Sequence, residues 1–197
     1  MNSDRSIFSE FKSQVTTLLC LVTLLWGIEI VDWLVLGGNL DQWFGIRPRT
    51  AEGLWGIMFA PFLHGSFGHL IANTVPLVTL SWLVMLRRTS DWLVVSIVAA
   101  LCSGLGTWLI GAPFSTHIGA SGVIFGYFGF LLLRGYFERS FMAIAFSLLV
   151  TVLYGSLILG TVPFLTAPNV SWEGHLFGFL GGVLAAWILS KSEDNSP

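Results

Sequence analysis

Apolar residues in this chain fall into six long runs, separated by short polar or glycine-rich segments. A helix of about 20 apolar residues is long enough to cross the roughly 30 Å hydrocarbon core of a bilayer. The fourth run is the least obvious, because glycines such as Gly119, Gly122, Gly126 and Gly129 dilute it. The pattern predicts six membrane-spanning helices at about 15–36, 63–86, 91–110, 118–136, 141–160 and 172–190.

The connection between the first two runs, residues 37–62, is longer than the others and differs in composition. It combines glycines and charged residues with aromatic residues that include Trp43, Trp55 and Phe59. Aromatic side chains beside charges are typical of a segment at the membrane interface. We therefore expect an all-α membrane protein, a compact bundle of six transmembrane helices with a membrane-embedded first loop.

Composition supports this class. The chain has 197 residues, of which 54% are hydrophobic and only 10% are charged, and its mean hydropathy is +0.79. Soluble domains carry about a quarter charged residues, so this chain cannot cover a water-facing surface with charges. A net charge of −2 without a basic patch argues against a nucleic-acid partner. The lipid bilayer is the expected surrounding.

Basic residues give the expected orientation. Six spans place both termini on one side, and seven of the nine Lys and Arg residues would lie there. Because cytoplasmic loops carry the excess of Lys and Arg, the termini should be cytoplasmic. In a prokaryote the membrane would be the plasma membrane. The expected divisions are a cytoplasmic segment at 1–14, the membrane domain at 15–190 and a cytoplasmic tail at 191–197. The seven residues are Arg5, Lys12, Arg87, Arg88, Arg134, Arg139 and Lys191.

Among the polar side chains inside the predicted spans, four would lie at a similar depth: His69, Asn73, Ser121 and His175. Polar groups in a membrane are costly and suggest a functional site. A rise of about 1.5 Å per residue, counted from the basic residue at each cytoplasmic end, puts all four roughly 20–28 Å above that end. They would share one layer in the outer half of a core about 30 Å thick.

Small residues recur every four positions on two of the spans, which allows helices to approach closely. Packing of these two ridges would bring His175 beside Ser121, although neither ridge alone proves the pairing. The sixth span carries Gly174, Gly178, Gly182 and Ala186, and the fourth carries Gly122 and Gly126.

A serine hydroxyl becomes a good nucleophile only when a base takes its proton, and His175 is the candidate base for Ser121. Glu173 would point away from His175 on a helix, so the sequence favours a Ser–His dyad over a triad. Acyl transfer also needs donors for an oxyanion. His69 and Asn73 share one helix face, four residues apart, and the amide of Ser121 would add a backbone donor.

Three segments resemble the signature segments of the rhomboid family of intramembrane serine proteases: GASG at 119–122, HGSFGHLIAN at 64–73 and GHLFGFLGG at 174–182. The resemblance implies a six-helix core and a serine endopeptidase that cleaves transmembrane segments of membrane-protein substrates without a cofactor or metal. It implies Ser121 as nucleophile and His175 as base. The active site would open to the non-cytoplasmic side.

The same resemblance implies His69 and Asn73 as oxyanion donors. From the residues themselves, the Ser121 amide would add a donor, Gly119 would let backbone and substrate approach, and Gly178 and Gly182 would let the helices meet. The family usually has a Tyr stacked on the catalytic His, where this chain has Phe125. The family's Trp-Arg pair in the first loop is Trp55-Gly56 here, so the function of that Arg is lost or replaced.

Other interpretations stay open at this point. Ser121 could be a packing serine, His175 a histidine bonded to a carbonyl, and His69 with Asn73 an interhelical hydrogen-bonding pair. A catalytically inactive relative that binds membrane clients should lack the nucleophile or the base, yet both are present. A small transporter should show inverted repeats or charges at the midplane, and none is found. His64 lies further out, where a structural role is favoured.

Overall fold

A computed structural model of the chain describes residues 2–86, 88–167 and 170–194. Throughout these ranges the chain is helical or irregular, without a strand, apart from one isolated antiparallel bridge between Ile46 and His117. Two of the basic residues on which the predicted orientation depends are not covered: Arg87 and the side chain of Arg5 lie outside the described residues. So do residues 195–197 of the predicted tail. The all-α prediction is confirmed.

In the described part of the chain eight α-helices follow one another, and three of them continue as short π or 3₁₀ helices. A π-helix, Asp32–Leu36, extends α1, and short 3₁₀ helices, Ala60–Phe62 and Gly155–Thr161, extend α3 and α7. The helices are α1 (Asn2–Val31), α2 (Leu40–Phe44), α3 (Gly53–Phe59), α4 (Phe67–Met85), α5 (Thr89–Ile110), α6 (Ser121–Glu138), α7 (Phe141–Tyr154) and α8 (Trp172–Asp194).

Five of these segments are long and apolar enough to cross a membrane, which makes the chain a multi-pass membrane protein. They correspond to α1, α4, α5, α7 with its 3₁₀ extension, and α8. The sixth predicted span, α6, is less apolar, yet most of its residues are buried and it contacts α4, α5, α7 and α8. Neighbouring helices surround α6, so it does not need a lipophilic surface, and its glycines bring those neighbours close.

The start of the first span differs from the prediction, whereas its end at Leu36 agrees with it. Helix α1 begins at Asn2, ahead of the expected start near residue 15. Hydropathy marks where lipid contact can begin, whereas a helix continues through polar residues that favour it, such as Glu10 and Lys12. The helix ends at Gly37, whose φ of +66° is a left-handed conformation that glycine adopts without strain.

Helices α6 and α8 pack together through the predicted small-residue ridges. A Cβ atom on Gly178 would overlap the carbonyl oxygen of Gly122, and one on Gly182 would overlap the carbonyl oxygen of Gly126. At these positions any larger residue would force the two backbones apart. The close approach of these helices, predicted from the spacing, is therefore confirmed, and it sets the distance between Ser121 and His175.

The first loop, with α2 and α3, covers the C-terminal end of α5 and the segment that leads into α6. The amide of Ile46 donates to the carbonyl of His117, and the reverse bond has the same length of 2.9 Å. Arg49 donates to the carbonyls of Leu109 (3.0 Å) and Gly111 (2.9 Å) at the end of α5. A cation there satisfies carbonyls that have no partner within the helix. These hydrogen bonds fix the first loop over the end of α5 and over the segment that leads into α6.

Candidate active site

Three helices begin close to the four polar residues singled out from the sequence. Helix α6 begins at Ser121 itself, and His175 lies in the first turn of α8. Helix α4 begins at Phe67, where the hydroxyl of Ser66 accepts a hydrogen bond from the amide of His69 (3.1 Å). A serine with an extended backbone is a favoured N-cap. The positive ends of these helix dipoles therefore lie near the polar residues.

Ser121 and His175 are directly hydrogen-bonded, with 2.9 Å between the serine Oγ and Nε2 of the imidazole. The other ring nitrogen, Nδ1, lies 3.0 Å from the carbonyl oxygen of Gly160. A carbonyl only accepts, so Nδ1 must carry the proton and Nε2 of the neutral ring must accept from the serine hydroxyl. This is the tautomer that a general base for serine requires.

The imidazole of His175 is also fixed by an aromatic ring. Phe125 stacks on it with 3.9 Å between ring centroids and 8° between ring planes. The stacking position that the family usually gives to Tyr is therefore filled by Phe125. A Cβ atom on Gly160 would come within 2.8 Å of Phe125 and 3.3 Å of Nδ1 of His175. Glycine at that position leaves room for the ring, the stacking partner and the hydrogen bond together.

Gly119 lies between the serine and helix α4. Its φ of +111° is strained for other residues, and a Cβ atom there would come 3.0 Å from Nε2 of His69 and 4.0 Å from Nδ2 of Asn73. The amide of Gly119 donates to the carbonyl of Ala60 (2.8 Å). Gly119 therefore provides open space, and because its own amide is already hydrogen-bonded, only its neighbours can donate hydrogen bonds into that space. Both α4 side chains face that space.

Three groups beside Gly119 can donate hydrogen bonds into this space. Asn73 is buried and uses one N–H in a 3.1 Å bond to the carbonyl of His69, which leaves its second N–H. The Nε2 edge of His69 faces Gly119. The amide of Ser121 belongs to the first turn of α6, where amides have no acceptor within the helix. The residues that the sequence assigned to the oxyanion therefore surround one small volume.

His64 lies behind His69, and the two rings meet edge to face with 5.1 Å between centroids. His64 is only 2% exposed, so its imidazole is shielded from water. Burial lowers the pKa of His64 to about 4, and the neighbouring His69 adds to the effect. A neutral ring at this position supports His69 from behind, in line with the structural role expected for it.

Two further polar residues lie outside the Ser–His pair. The carboxylate of Glu173 accepts from the hydroxyl of Ser171 (3.2 Å), as expected for a residue directed away from His175. Nε2 of His117 is 2.6 Å from the hydroxyl of Ser115. Burial lowers the pKa of His117, and the charge of Glu173 partly opposes this shift. Within the described ranges no three His, Cys, Asp or Glu side chains form a group that could hold a metal ion.

Two residues that help to position the site, Gly160 and Arg49, were not predicted from the sequence. Gly160 acts through its backbone carbonyl, and no side-chain pattern marks a carbonyl that will meet a histidine 15 residues later. Arg49 anchors the first loop, where Gly56 stands in place of the family's Arg. A Cβ atom on Gly56 would lie 2.5 Å from the backbone of Gly45, so no Arg fits there. The presence of basic residues in the loop, Arg49 among them, was the available signal.

Fold and site together define a helical membrane protein with a hydrogen-bonded Ser–His pair, and with His69 and Asn73 close to Gly119. Residues 51–192 match the sequence profile of the rhomboid domain, and the chain belongs to the rhomboid family. An uncharacterized protein of Mycobacterium tuberculosis, Rv1337, is 45% identical over 184 residues, which cover 90% of this chain and 76% of that protein.

Two further relatives align with most of the chain. An uncharacterized protein of Mycobacterium leprae, ML1171, is 42% identical over 183 residues, 90% of this chain and 72% of the relative. The Bacillus subtilis protein YdcA, whose name provisionally assigns it to the rhomboid proteases, is 27% identical over 188 residues. That match covers 91% of this chain and 90% of YdcA.

Proposed function

We propose that this protein is an intramembrane serine endopeptidase that cleaves transmembrane segments of membrane-protein substrates. The observation that carries the proposal is the 2.9 Å bond between Oγ of Ser121 and Nε2 of His175, in the tautomer that the Gly160 carbonyl imposes. Membership of the rhomboid family supports it. A packing serine would not need a histidine whose acceptor nitrogen points at its hydroxyl.

The chemistry follows from these positions. Oγ of Ser121 attacks the scissile carbonyl carbon while His175 Nε2 takes the hydroxyl proton, and the resulting imidazolium keeps its Nδ1–H bond to Gly160. The carbonyl oxygen becomes an oxyanion in the space beside Gly119, where Asn73 and the Ser121 amide can donate to it. Collapse breaks the peptide bond, and Nε2 returns the proton to the departing amine.

The second half of the reaction repeats these steps with water. A water molecule loses a proton to Nε2 of His175 and attacks the acyl-serine ester. Collapse of the second tetrahedral intermediate returns the proton to Ser121 Oγ and releases the new carboxyl end. We propose that this water enters from the non-cytoplasmic side, since the site lies at the helix ends under the first loop, opposite Arg134 and Lys191. The termini would then be cytoplasmic.

The alternatives from the sequence have less support. An inactive relative that only binds membrane clients would not need the tautomer and stacking that fix His175. A small transporter would need a polar path across the midplane, whereas the buried polar groups described above gather at one end of α4, α6 and α8. No observation favours either alternative over proteolysis.

The test is cleavage of a single-span membrane substrate by the purified protein in liposomes, with the cut located by mass spectrometry. We expect a cut within the transmembrane segment, and loss of cleavage in both Ser121→Ala and His175→Ala, because neither group works without the other. Ser190→Ala, far along α8, is the matched serine control and should cleave normally. Cleavage by Ser121→Ala above background would disprove the proposal.

A further inference from the structure

An aromatic cleft lies on the outer surface of the first loop, away from Ser121 and His175. It has a volume of about 600 Å³ and opens to the surroundings. The two tryptophans at its rim are strongly exposed, Trp43 by 55% and Trp55 by 66%. The lining residues are Trp43, Phe44, Ala51, Glu52, Trp55 and Phe59.

The cleft is built by close contact between α2 and α3. A Cβ atom on Gly56 would clash with the backbone of Gly45, so the two helices meet with no side chain between them. Phe44 and Phe59 meet edge to face on the two helices, with 5.3 Å between ring centroids. The backbone contact and the Phe44–Phe59 pair therefore fix the floor of the cleft, with the two tryptophans at its rim.

Glu52 places a carboxylate in this aromatic surrounding. It is exposed, and although it is the N-cap of α3 its side chain makes no capping hydrogen bond. No other described residue forms a hydrogen bond or ion pair with it. A carboxylate and the electron-rich faces of tryptophan both attract cations, and aromatic cages of this kind bind ammonium groups. The chemistry of the cleft is therefore that of a site for an organic ammonium ion.

A complementary cation lies on the same loop. The guanidinium of Arg47 donates to the carbonyl of Gln42, next to Trp43. Most of its N–H donors remain for a phosphate, which guanidinium groups bind well. A cleft for an ammonium ion with a guanidinium nearby matches a zwitterionic headgroup, in which the ammonium and the phosphate are joined by a two-carbon linker.

We propose that this cleft binds the ethanolamine headgroup of a membrane phospholipid, with the ammonium between Trp43, Trp55 and Glu52 and the phosphate toward Arg47. A primary ammonium suits the site because its N–H groups can donate to the Glu52 carboxylate. The tryptophans are of the type that concentrates at headgroup level in membrane proteins. The site holds the first loop at a defined lipid and takes no part in the bond-breaking steps.

The test is native mass spectrometry of the whole protein, titrated with phosphatidylethanolamine or with phosphatidylglycerol of the same acyl chains. Phosphatidylglycerol has the phosphate and the tails but no ammonium. We expect the ethanolamine lipid to bind more tightly by about tenfold, as cation–π and carboxylate contacts at a partly exposed site imply. Glu52→Gln and Trp55→Leu should each remove most of this preference.

Two variants serve as controls. Trp33→Leu removes a tryptophan that is also 66% exposed but lies at the end of α1, and Glu10→Gln removes an exposed carboxylate near the other end of that helix. Both should keep the preference for phosphatidylethanolamine. Equal binding of the two lipids, or a preference that survives in both Glu52→Gln and Trp55→Leu, would overturn the proposal. Binding is measured without a substrate, so the result does not depend on proteolysis.

Discussion

At the scale of single residues, the carbonyl of Gly160 occupies the place that a carboxylate takes in a Ser–His–Asp triad. It fixes the tautomer and orientation of His175 through a 3.0 Å bond. A neutral carbonyl offers less charge to the imidazolium than a carboxylate does, so more of the transition-state stabilisation must come from the oxyanion side. This makes the donors beside Gly119 important for the proposed reaction.

Asn73→Ala tests that consequence. Removal of one oxyanion donor should lower kcat by about 10²–10³-fold and leave KM nearly unchanged, because the bond would form fully only in the transition state. The measurement is steady-state cleavage in detergent. A change confined to KM would mean that Asn73 only positions substrate.

The burial of His64 predicts how the stability of the protein depends on pH. Its pKa is lowered to about 4 in the folded protein from an ordinary value of 6.5, so the unfolded chain binds more protons between these values and stability falls with falling pH. From pH 7 to pH 5 the loss should be about 2 kcal/mol, which His64→Phe should abolish. The readout is the midpoint of thermal unfolding in detergent at each pH.

The titration of Asp41 in the first loop should change the stability of the protein with pH in the opposite direction to that of His64. Burial, with a contribution from the charge of Asp32, raises the pKa of Asp41 from 3.8 to about 6. The folded protein therefore binds more protons than the unfolded chain in that range, and this group adds stability as pH falls. Asp41→Asn should make the protein more acid-sensitive than the parent. The same response in His64→Phe and Asp41→Asn would contradict these assignments.

At the scale of elements, the contact between α6 and α8 sets the geometry of the dyad. Gly178→Ala places a methyl group against the carbonyl oxygen of Gly122, so α8 must move away and carry His175 with it. Displacement of a catalytic group by about 1 Å can lower the rate by about 100-fold. We expect a loss of that order in kcat, together with a lower unfolding temperature.

Gly27→Ala is the matched control, since a Cβ atom there meets nothing within 4 Å. It should keep full activity, with stability unchanged or slightly raised because alanine favours helix. Equal activity of the two variants would show that the α6–α8 spacing does not govern the site.

Some features of these helices could be predicted from the sequence and others could not. Hydropathy, glycine spacing and the layer of polar residues predicted the six spans and the neighbours Ser121 and His175, since each depends on side-chain identity. The start of α1 at Asn2, the carbonyl of Gly160 and the anchoring by Arg49 could not be predicted in this way. The start of α1 reflects the helix propensity of polar residues, which hydropathy does not register, whereas the other two depend on backbone positions fixed only by tertiary packing.

At the scale of the whole molecule, the proposed orientation places the loop before α6 outside the cell. In a background without Cys20 and Cys102, Phe114→Cys should react with a membrane-impermeant maleimide added to intact cells, since position 114 is fully exposed. Tyr136→Cys, exposed near the other end of α6, should react only after permeabilisation. The reverse pattern would invert the topology.

The most direct test of the account is covalent labelling of the purified protein with a fluorophosphonate, followed by mass spectrometry of the modified peptide. A serine reacts with this reagent when a neighbouring base activates it, and the bond from Ser121 Oγ to His175 Nε2 provides that base. We expect one modified serine, Ser121, with labelling lost in His175→Ala and kept in Ser190→Ala. No modification of Ser121, or equal modification with and without the His175 imidazole, would contradict it.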